Sequence, residues 1–398
     1  MALDVEATVE ALAWMLMGAA MLGILAWRIR LPYAVALVMG GVLVEETHLL
    51  VLPQLEPRVL LFVFLPPLLF DAAFRLDATT LRSLARPVLV LAVPGTIATA
   101  AIVGLALVLA LHLPVTVALV FGSIVAATDP IAVVGVFRGM NAPSRLGVLI
   151  EGESLINDGV AITLYTAAIG LATSGNTDVP GAVGLFARQI IGGVAIGAIL
   201  GVALSRLTAA IDDHLIEMTL STALAYGSYL LAQFFDMSGA LACVAAGLIH
   251  GSYGRQVGMS ERTRRLLDDL WEYFGFLVNA LVFLLVGFSA SVANLVAAAS
   301  PVLVSILAVL GARVLVVLGP PSMLPRQLHA TSPAERAVLI WGGLRGALTI
   351  TLALALPMQM PDRQLLIAMA FGVVLFSLLV QGVTLSPVIR RAGPAPDT

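Results

Sequence analysis

Residues 146–170 read LGVLIEGESLINDGVAITLYTAAIG, an apolar stretch long enough to cross a bilayer that nevertheless contains Glu151, Glu153 and Asp158. A charge at the centre of a bilayer costs at least ~2.5 kcal/mol, so each charge that stays there needs a partner or a function. Glu151 can lie at the water-facing end of the stretch, solvated beyond Arg145. Asp158 lies about two helical turns deeper. The stretch therefore predicts a membrane-spanning helix with a functional carboxylate at Asp158.

The composition of the whole chain indicates a membrane protein. Of its 398 residues, 60% are hydrophobic and only 11% are charged, whereas soluble domains carry about 25% charged residues. The net charge of −3 excludes a strongly charged surface for nucleic acid. The single cysteine, Cys243, cannot form an internal disulfide, and redox chemistry is not expected. We expect one membrane domain over residues 1–398, in contact with the lipid bilayer and without a nucleic-acid partner.

Thirteen apolar stretches are separated by arginines, prolines and acidic residues, and each is a candidate transmembrane helix. They lie near residues 7–27, 31–44, 58–74, 87–111, 114–137, 146–170, 181–204, 215–234, 238–252, 269–289, 297–319, 336–357 and 363–388. This pattern predicts an all-α polytopic membrane protein with about 13 transmembrane helices.

The positions of the arginines predict the orientation of the chain, because all 21 basic residues are arginines. With the N-terminus outside, sixteen arginines fall in cytoplasmic connections, three fall outside and two lie within spans. Positive residues concentrate on the cytoplasmic side of membrane proteins. We therefore expect a multi-pass protein of the bacterial cytoplasmic (inner) membrane, with its N-terminus outside and its C-terminus in the cytoplasm.

The fifth predicted span is interrupted at Thr128-Asp129-Pro130. Proline lacks an amide hydrogen and disfavours helix at the residue before it, so the backbone should open here. Opened carbonyls and the Thr128 hydroxyl are hard oxygen ligands suited to an alkali cation. Asp129 can act as a ligand too, or it can stabilise the positive end of the following half-helix, and the sequence favours neither role.

The polar residues of the 146–170 stretch divide between two helical faces. Glu151, Ser154 and Asp158 share one face at i, i+3, i+7 spacing. The next face holds Glu153 and Asn157, which are four residues apart. The first face can offer carboxylate and hydroxyl oxygens to an ion, whereas the second can attach a neighbouring helix and hold the site in place.

Two arginines, Arg313 and Arg345, lie within apolar spans. Arg345 belongs to WGGLRGA at 341–347, where glycines let backbones approach and a guanidinium can form a bidentate pair with a carboxylate. Glu153 is the expected partner of Arg345. Binding of an anionic substrate by Arg345 is a weaker alternative, because the predicted site already has an excess of carboxylates. Arg313 has no evident acidic partner and receives no predicted role.

These motifs resemble the monovalent cation/proton antiporter 1 family, which includes the bacterial NhaP-type sodium/proton antiporters and the animal sodium/proton exchangers. The resemblance runs through nearly the whole chain. It rests on FLPPLLFD at 64–71, TDP at 128–130, EGESLINDG at 151–159 and GGLRGA at 342–347, which appear in the family's order. One such string would be weak, whereas four in the correct order are specific.

The resemblance implies an NhaA-like antiporter fold and a homodimer. Each protomer would contain two inverted six-helix repeats, about 7–170 and 215–388, joined by the helix near 181–204. The fifth span of each repeat would be discontinuous, and these two spans would cross beside the sixth span of the first repeat.

The resemblance also implies roles for residues of the interrupted span and of the helix after it. Asp158 is similar to the aspartate that alternately binds cation and proton. Ser154 and the main-chain carbonyl of Thr128 resemble its further Na⁺ ligands. Asn157 is similar to the asparagine of the family's Asn–Asp pair.

Four more residues take roles from the same resemblance. Glu153 and Arg345 are similar to the family's structural ion pair. Asp129 resembles the residue that stabilises the crossed half-helices. Asp71 stands where many relatives have an acidic residue near the ion.

The residues and the resemblance together predict a secondary active antiporter that exchanges a monovalent cation for H⁺ by alternating access, with both ions competing for Asp158. Na⁺ is the favoured cation, and Li⁺ and K⁺ stay open because all three bind oxygen ligands. Asn157 cannot titrate, so one-for-one electroneutral exchange is expected. The corresponding cellular roles are pH homeostasis and sodium tolerance.

Two other functional classes explain fewer of these features. A channel needs neither a titrating carboxylate nor crossed broken helices. An enzyme is not expected, because the sequence has no HExxH motif, its five histidines are widely separated and no serine lies beside a plausible base. No cofactor is expected beyond the transported cation and H⁺.

Overall fold

The structure is a computed structural model that describes residues 5–29, 31–47, 60–130, 133, 137, 144–174, 179–211, 213–289, 292–319 and 332–392. Regular secondary structure in these ranges is helical throughout, and they contain no β-strand. The all-α class predicted from the apolar stretches is therefore confirmed.

Eight helices are described before residue 175. They are α1 (Val5–Ile29), α2 (Tyr33–Thr47), α3 (Leu65–Arg75), α4 (Ala78–Ser83), α5 (Ala85–Ala92), α6 (Pro94–Leu111), α7 (Val115–Ile124) and α8 (Ser144–Ser174). A π-helical turn, Leu60–Phe64, leads directly into α3.

Eleven helices are described after residue 178. They are α9 (Val179–Thr208), α10 (His214–Phe234), α11 (Gly239–Ile249), α12 (Arg255–Val257), α13 (Glu261–Phe288), α14 (Val292–Ala297), α15 (Ala299–Val317), α16 (Pro333–Trp341), α17 (Ala347–Leu354), α18 (Arg363–Phe376) and α19 (Val383–Ala392). Two further π-helical turns, His250–Gly254 and Ser377–Gly382, connect α11 to α12 and α18 to α19.

Seven segments of the described ranges are long and apolar enough to cross a bilayer. They are 12–29, 85–111, 145–173, 183–208, 261–288, 299–317 and 363–390. They coincide with seven of the predicted spans. Other predicted spans coincide with shorter or interrupted helices such as α3 and α7, so the total of about 13 and the inverted repeats stay predictions.

Local sequence explains why the twelfth predicted span is divided into α16 and α17. A capping box starts α16, because Ser332 Oγ accepts from the Glu335 amide at 3.1 Å and the Glu335 carboxylate accepts from the Ser332 amide at 2.6 Å. Pro333 at the first helical position adds a preset φ. The helix ends at Trp341, before two glycines, and helical structure resumes only at Ala347.

Close contacts through glycine hold neighbouring helices together. A Cβ on Gly41 of α2 would lie 2.7 Å from the Cα of Gly287 on α13, and a Cβ on Gly197 of α9 would lie 2.7 Å from the carbonyl carbon of Ala242 on α11. Small residues allow such backbone approach between membrane helices. The α2–α13 contact fixes the end of α13, whose central part forms one wall of the cavity described below.

Candidate cation-binding site

Two non-helical segments meet, as the family resemblance implies. Residues 127–130 follow the end of α7, and residues 343–346 lie between α16 and α17. The Asp129 amide donates a main-chain hydrogen bond to the Leu344 carbonyl at 2.8 Å. Pro130 and the glycines around Leu344 account for the two interruptions, because they remove helix-forming capacity at these points. The hydrogen bond joins two non-helical segments that are distant in the sequence.

A cavity of about 420 Å³ borders both segments and is also lined by α3, α8 and α13. Its wall is mainly apolar but carries more acidic than basic side chains. The charged residues that line it are Asp71, Arg75, Asp129, Glu151, Asp158 and Glu272. A cleft with one prevailing sign of charge and low-dielectric walls concentrates counter-ions. The cavity is therefore suited to a small cation.

The carboxylate of Asp158 on α8 faces this cavity. Within the described part of the chain it has no hydrogen-bond or ion-pair partner. Asp129 and Arg345 are the charged groups that act on it electrostatically. Both oxygens of the Asp158 carboxylate are therefore available to bind a ligand in the cavity.

A network of three polar side chains holds the first non-helical segment against α8. Asn157 Nδ2 donates to Thr128 Oγ1 at 2.7 Å, and Asn157 Oδ1 accepts from the Thr128 amide at 3.3 Å. Thr128 Oγ1 also lies 2.9 Å from Ser154 Oγ. All three residues are buried. The predicted attachment role of Asn157 therefore has a specific target, the opened backbone at Thr128.

The predicted ion pair between Glu153 and Arg345 is wrong, because Glu153 pairs with Arg313. Arg313 Nη1 bonds Glu153 Oε1, and Arg313 Nη2 donates to Glu153 Oε2 at 3.0 Å. Arg313 Nε donates to the Leu339 carbonyl at 3.0 Å, so the guanidinium ties α8 to α16. Arg345 instead donates from Nη1 to the carbonyl of Gly343 at 2.9 Å. The bidentate geometry expected for Glu153 is thus present with a different arginine.

Packing explains why Arg313 reaches Glu153. A Cβ on Gly343 would lie 2.7 Å from Arg313 Nε, so the missing side chain at this position leaves room for the guanidinium. Arg345 is also buried, and it interacts electrostatically with Glu153 and Asp158 without bonding either carboxylate. A signal for Arg313 existed in the sequence, since a buried arginine requires an acidic partner, but nothing in the sequence decided between the two arginines.

Asp129 packs on the start of α17. A Cβ added to Gly346, the residue before the first turn of α17, would collide with the Asp129 carboxylate. A negative group near a helix N-terminus is stabilising because of the partial positive charge there. The contact favours the helix-stabilising role of Asp129 over the alternative of a ligand, although Asp129 also borders the cavity.

We expect Gly346→Ala to destabilise the protein by about 1–3 kcal/mol, because the new methyl group forces the Asp129 carboxylate away from α17. The melting temperature of the purified protein in detergent measures the effect. Gly170→Ala is the control, because nothing lies within 4 Å of a Cβ at Gly170. Equal melting temperatures for the two variants would contradict the close packing of Asp129 on Gly346.

Asp71 lies on the α3 side of the cavity. Its Oδ1 is 3.8 Å from Arg75 Nε one helical turn later, and Arg75 Nη1 also binds Glu272 of α13 at 3.1 Å. A Cβ on Gly275 would collide with the Asp71 carboxylate, so Asp71 packs closely on α13. The structure brings Asp71 into the same cavity as Asp158, as the resemblance implies, and places the Arg75 guanidinium beside it.

Interrupted helices that meet beside a carboxylate deep in a membrane protein are typical of secondary transporters. Comparison with known proteins agrees with this class. The model for the transmembrane part of the sodium/hydrogen exchanger family matches residues 16–391. The chain belongs to the sodium/hydrogen exchanger family, a family of secondary antiporters.

Named relatives align over most of their length. The chain is 37% identical to the Na(+)/H(+) antiporter ApNhaP of Aphanothece halophytica, over 92% of this chain and 70% of that protein. It is 36% identical to the Na(+)/H(+) antiporter NhaH of Halobacillus dabanensis, over 91% and 92% of the two chains. The structure of the sodium proton antiporter MjNhaP1 from Methanocaldococcus jannaschii superposes with a TM-score of 0.80 at 18% identity, covering 97% of this chain and 99% of that one. That likeness supports the fold.

Proposed function

We propose that the protein exchanges a monovalent cation, Na⁺ foremost, for protons, and that both ions compete for Asp158. The observation that carries this proposal is a contrast between two carboxylates of α8. Glu153 is held by the Arg313 guanidinium, whereas Asp158 faces the cavity with no bonded partner among the described residues. A carboxylate that no arginine holds can take up and release H⁺ or Na⁺. The names of the relatives support Na⁺ as the cation.

Charge neutralisation at Asp158 would couple the two fluxes. Either ion neutralises the carboxylate, whereas a carboxylate without a bound ion would have to carry its negative charge across an apolar barrier. Only loaded states then move readily between the two membrane faces, which is the requirement for alternating access. Asn157 cannot titrate, so one cation is exchanged for one proton without net charge movement.

The neighbours of Asp158 would divide the remaining work. The Thr128 main-chain carbonyl and the Ser154 hydroxyl contribute oxygen ligands to Na⁺. Asn157 holds the 127–130 segment against α8 through its two hydrogen bonds to Thr128. Li⁺ and K⁺ use the same ligand chemistry and are the alternative cations. Asp71 attracts cations into the cavity from the α3 side.

We extend the proposal to the arrangement of the chain in the membrane. About 13 spans form two inverted repeats, 7–170 and 215–388, joined by the helix near 181–204. The meeting of a non-helical segment from each repeat supports this symmetry. The functional unit is a homodimer in the bacterial inner membrane, with the N-terminus outside and the C-terminus in the cytoplasm.

Proton flux into proteoliposomes tests the proposed exchange. A Na⁺ gradient should drive an opposite proton flux, read by an internal pH dye, with Li⁺ and K⁺ compared across pH. Because the exchange is electroneutral, an imposed membrane potential should leave the rate unchanged. Single-channel currents, or no response to any of the three cations, would overturn the proposal.

A further inference from the structure

Two buried oxygen atoms of neutral side chains on the wall of the cavity have no hydrogen-bond partner within the described part of the chain. They are Thr349 Oγ1 on α17 and Asn279 Oδ1 on α13, and both residues line the cavity. Buried polar atoms are nearly always hydrogen-bonded, because leaving one without a partner costs free energy. Each exception therefore requires an explanation, and here two exceptions border one cavity.

The Thr349 hydroxyl lacks the partner that buried helical threonines normally use. Such a hydroxyl usually donates to the carbonyl three or four residues earlier. Other buried threonines of this chain do so: Thr96 to Ala92, Thr99 to Gly95, Thr163 to Gly159 and Thr351 to Ala347. For Thr349 the corresponding positions are Arg345 and Gly346, which precede the start of α17. The interruption of the helix thus leaves this hydroxyl available.

The Asn279 side chain is fixed in one orientation. Its Nδ2 donates to the Gly275 carbonyl at 2.8 Å, one turn earlier on α13. Because only the nitrogen of the side-chain amide can donate to a carbonyl, this bond fixes which way the amide points. It leaves Oδ1 as an acceptor without a donor. Thr349 and Asn279 belong to two helices that pack against each other, α17 and α13, and neither helix supplies Asp158, Ser154 or Thr128.

We propose that Thr349 Oγ1 and Asn279 Oδ1 are further oxygen ligands of the transported alkali cation, an inference that rests on the proposed function. Hydroxyl and amide oxygens are hard neutral ligands, and a cation that loses water on entering the site needs such oxygens. Neutral ligands do not bind the competing proton. Thr349 and Asn279 therefore strengthen cation binding and leave proton binding at Asp158 unchanged.

The test compares two threonines of one helix. Thr349→Val keeps the shape of the side chain and removes the hydroxyl, so the apparent KM for Na⁺ should rise about tenfold, while the rate at saturating Na⁺ stays within about twofold. Thr351→Val is the matched control, because Thr351 also lines the cavity but its hydroxyl donates to the Ala347 carbonyl and so has the partner that Thr349 lacks. Its KM should not change. Thr349→Ser restores the hydroxyl and should restore the KM.

Asn279→Ala makes the same test from the other helix, should Thr349→Val fail to fold. Melting temperatures of all variants identify any that are damaged globally. An unchanged KM for Na⁺ in folded Thr349→Val and Asn279→Ala would overturn the inference and show that the two oxygens bind only water. A wild-type protein without cation-driven proton flux would instead overturn the proposed function, so the two failures are distinguishable.

Discussion

Asp158→Asn should reduce Na⁺-driven proton flux to the background of empty liposomes. The amide has nearly the same shape as the carboxylate, but it neither binds a proton in this pH range nor carries the charge that attracts Na⁺. The variant therefore lacks the carboxylate on which, in the proposed function, cation and proton compete. Flux is measured by internal pH dye in proteoliposomes with matched amounts of reconstituted protein.

Glu272→Gln is the control for Asp158→Asn. Glu272 lines the same cavity, but its side chain is 66% exposed and it pairs with Arg75. An exposed ion pair contributes little, because water and salt screen it. Most of the flux should remain in this variant. Equal losses in the two variants, or full flux in Asp158→Asn, would contradict the assignment of Asp158.

The second large effect concerns the buried pair of Glu153 and Arg313. Glu153→Gln and Arg313→Met should each destabilise the protein by about 3–5 kcal/mol, because each leaves the opposite charge buried without its partner. Flux should fall with the folded fraction. The double variant removes both charges, so its loss of stability should be clearly smaller than the sum of the two single losses.

The same measurements decide which arginine is the partner of Glu153. A double-mutant cycle with Arg345→Met in place of Arg313→Met is the matched control. Arg345 interacts with Glu153 only electrostatically, whereas Arg313 bonds both carboxylate oxygens. The coupling measured by melting temperature should therefore be larger for Arg313. A larger coupling with Arg345 would restore the sequence-based pairing and refute the one in the structure.

Local signals made the helical breaks predictable. Pro130 and the glycines on both sides of Arg345 act on their own stretch of backbone, so their effect can be read without knowing the fold. The depth of Asp158 could also be predicted, because position within an apolar stretch follows from counting residues along a helix. These two features are sufficient to locate the candidate site in the sequence.

Contacts between distant parts of the chain could not be predicted in the same way. Arg313 and Arg345 are both buried arginines, and their choice of partner depends on the space left by Gly343, a property of packed helices. The missing hydrogen-bond partner of the Thr349 hydroxyl could not be predicted for a related reason. In sequence Thr349 resembles any threonine of an apolar helix, and its missing partner becomes visible only once the first residue of α17 is known.

The hydrogen bond between the Asp129 amide and the Leu344 carbonyl uses only peptide groups. Side-chain replacement at Leu344 leaves the acceptor in place, and at residue 129 only proline removes the donor. The junction of the two non-helical segments can therefore persist through wide sequence divergence. Side chains around the cavity can therefore change in evolution without removing the main-chain hydrogen bond that joins the two segments.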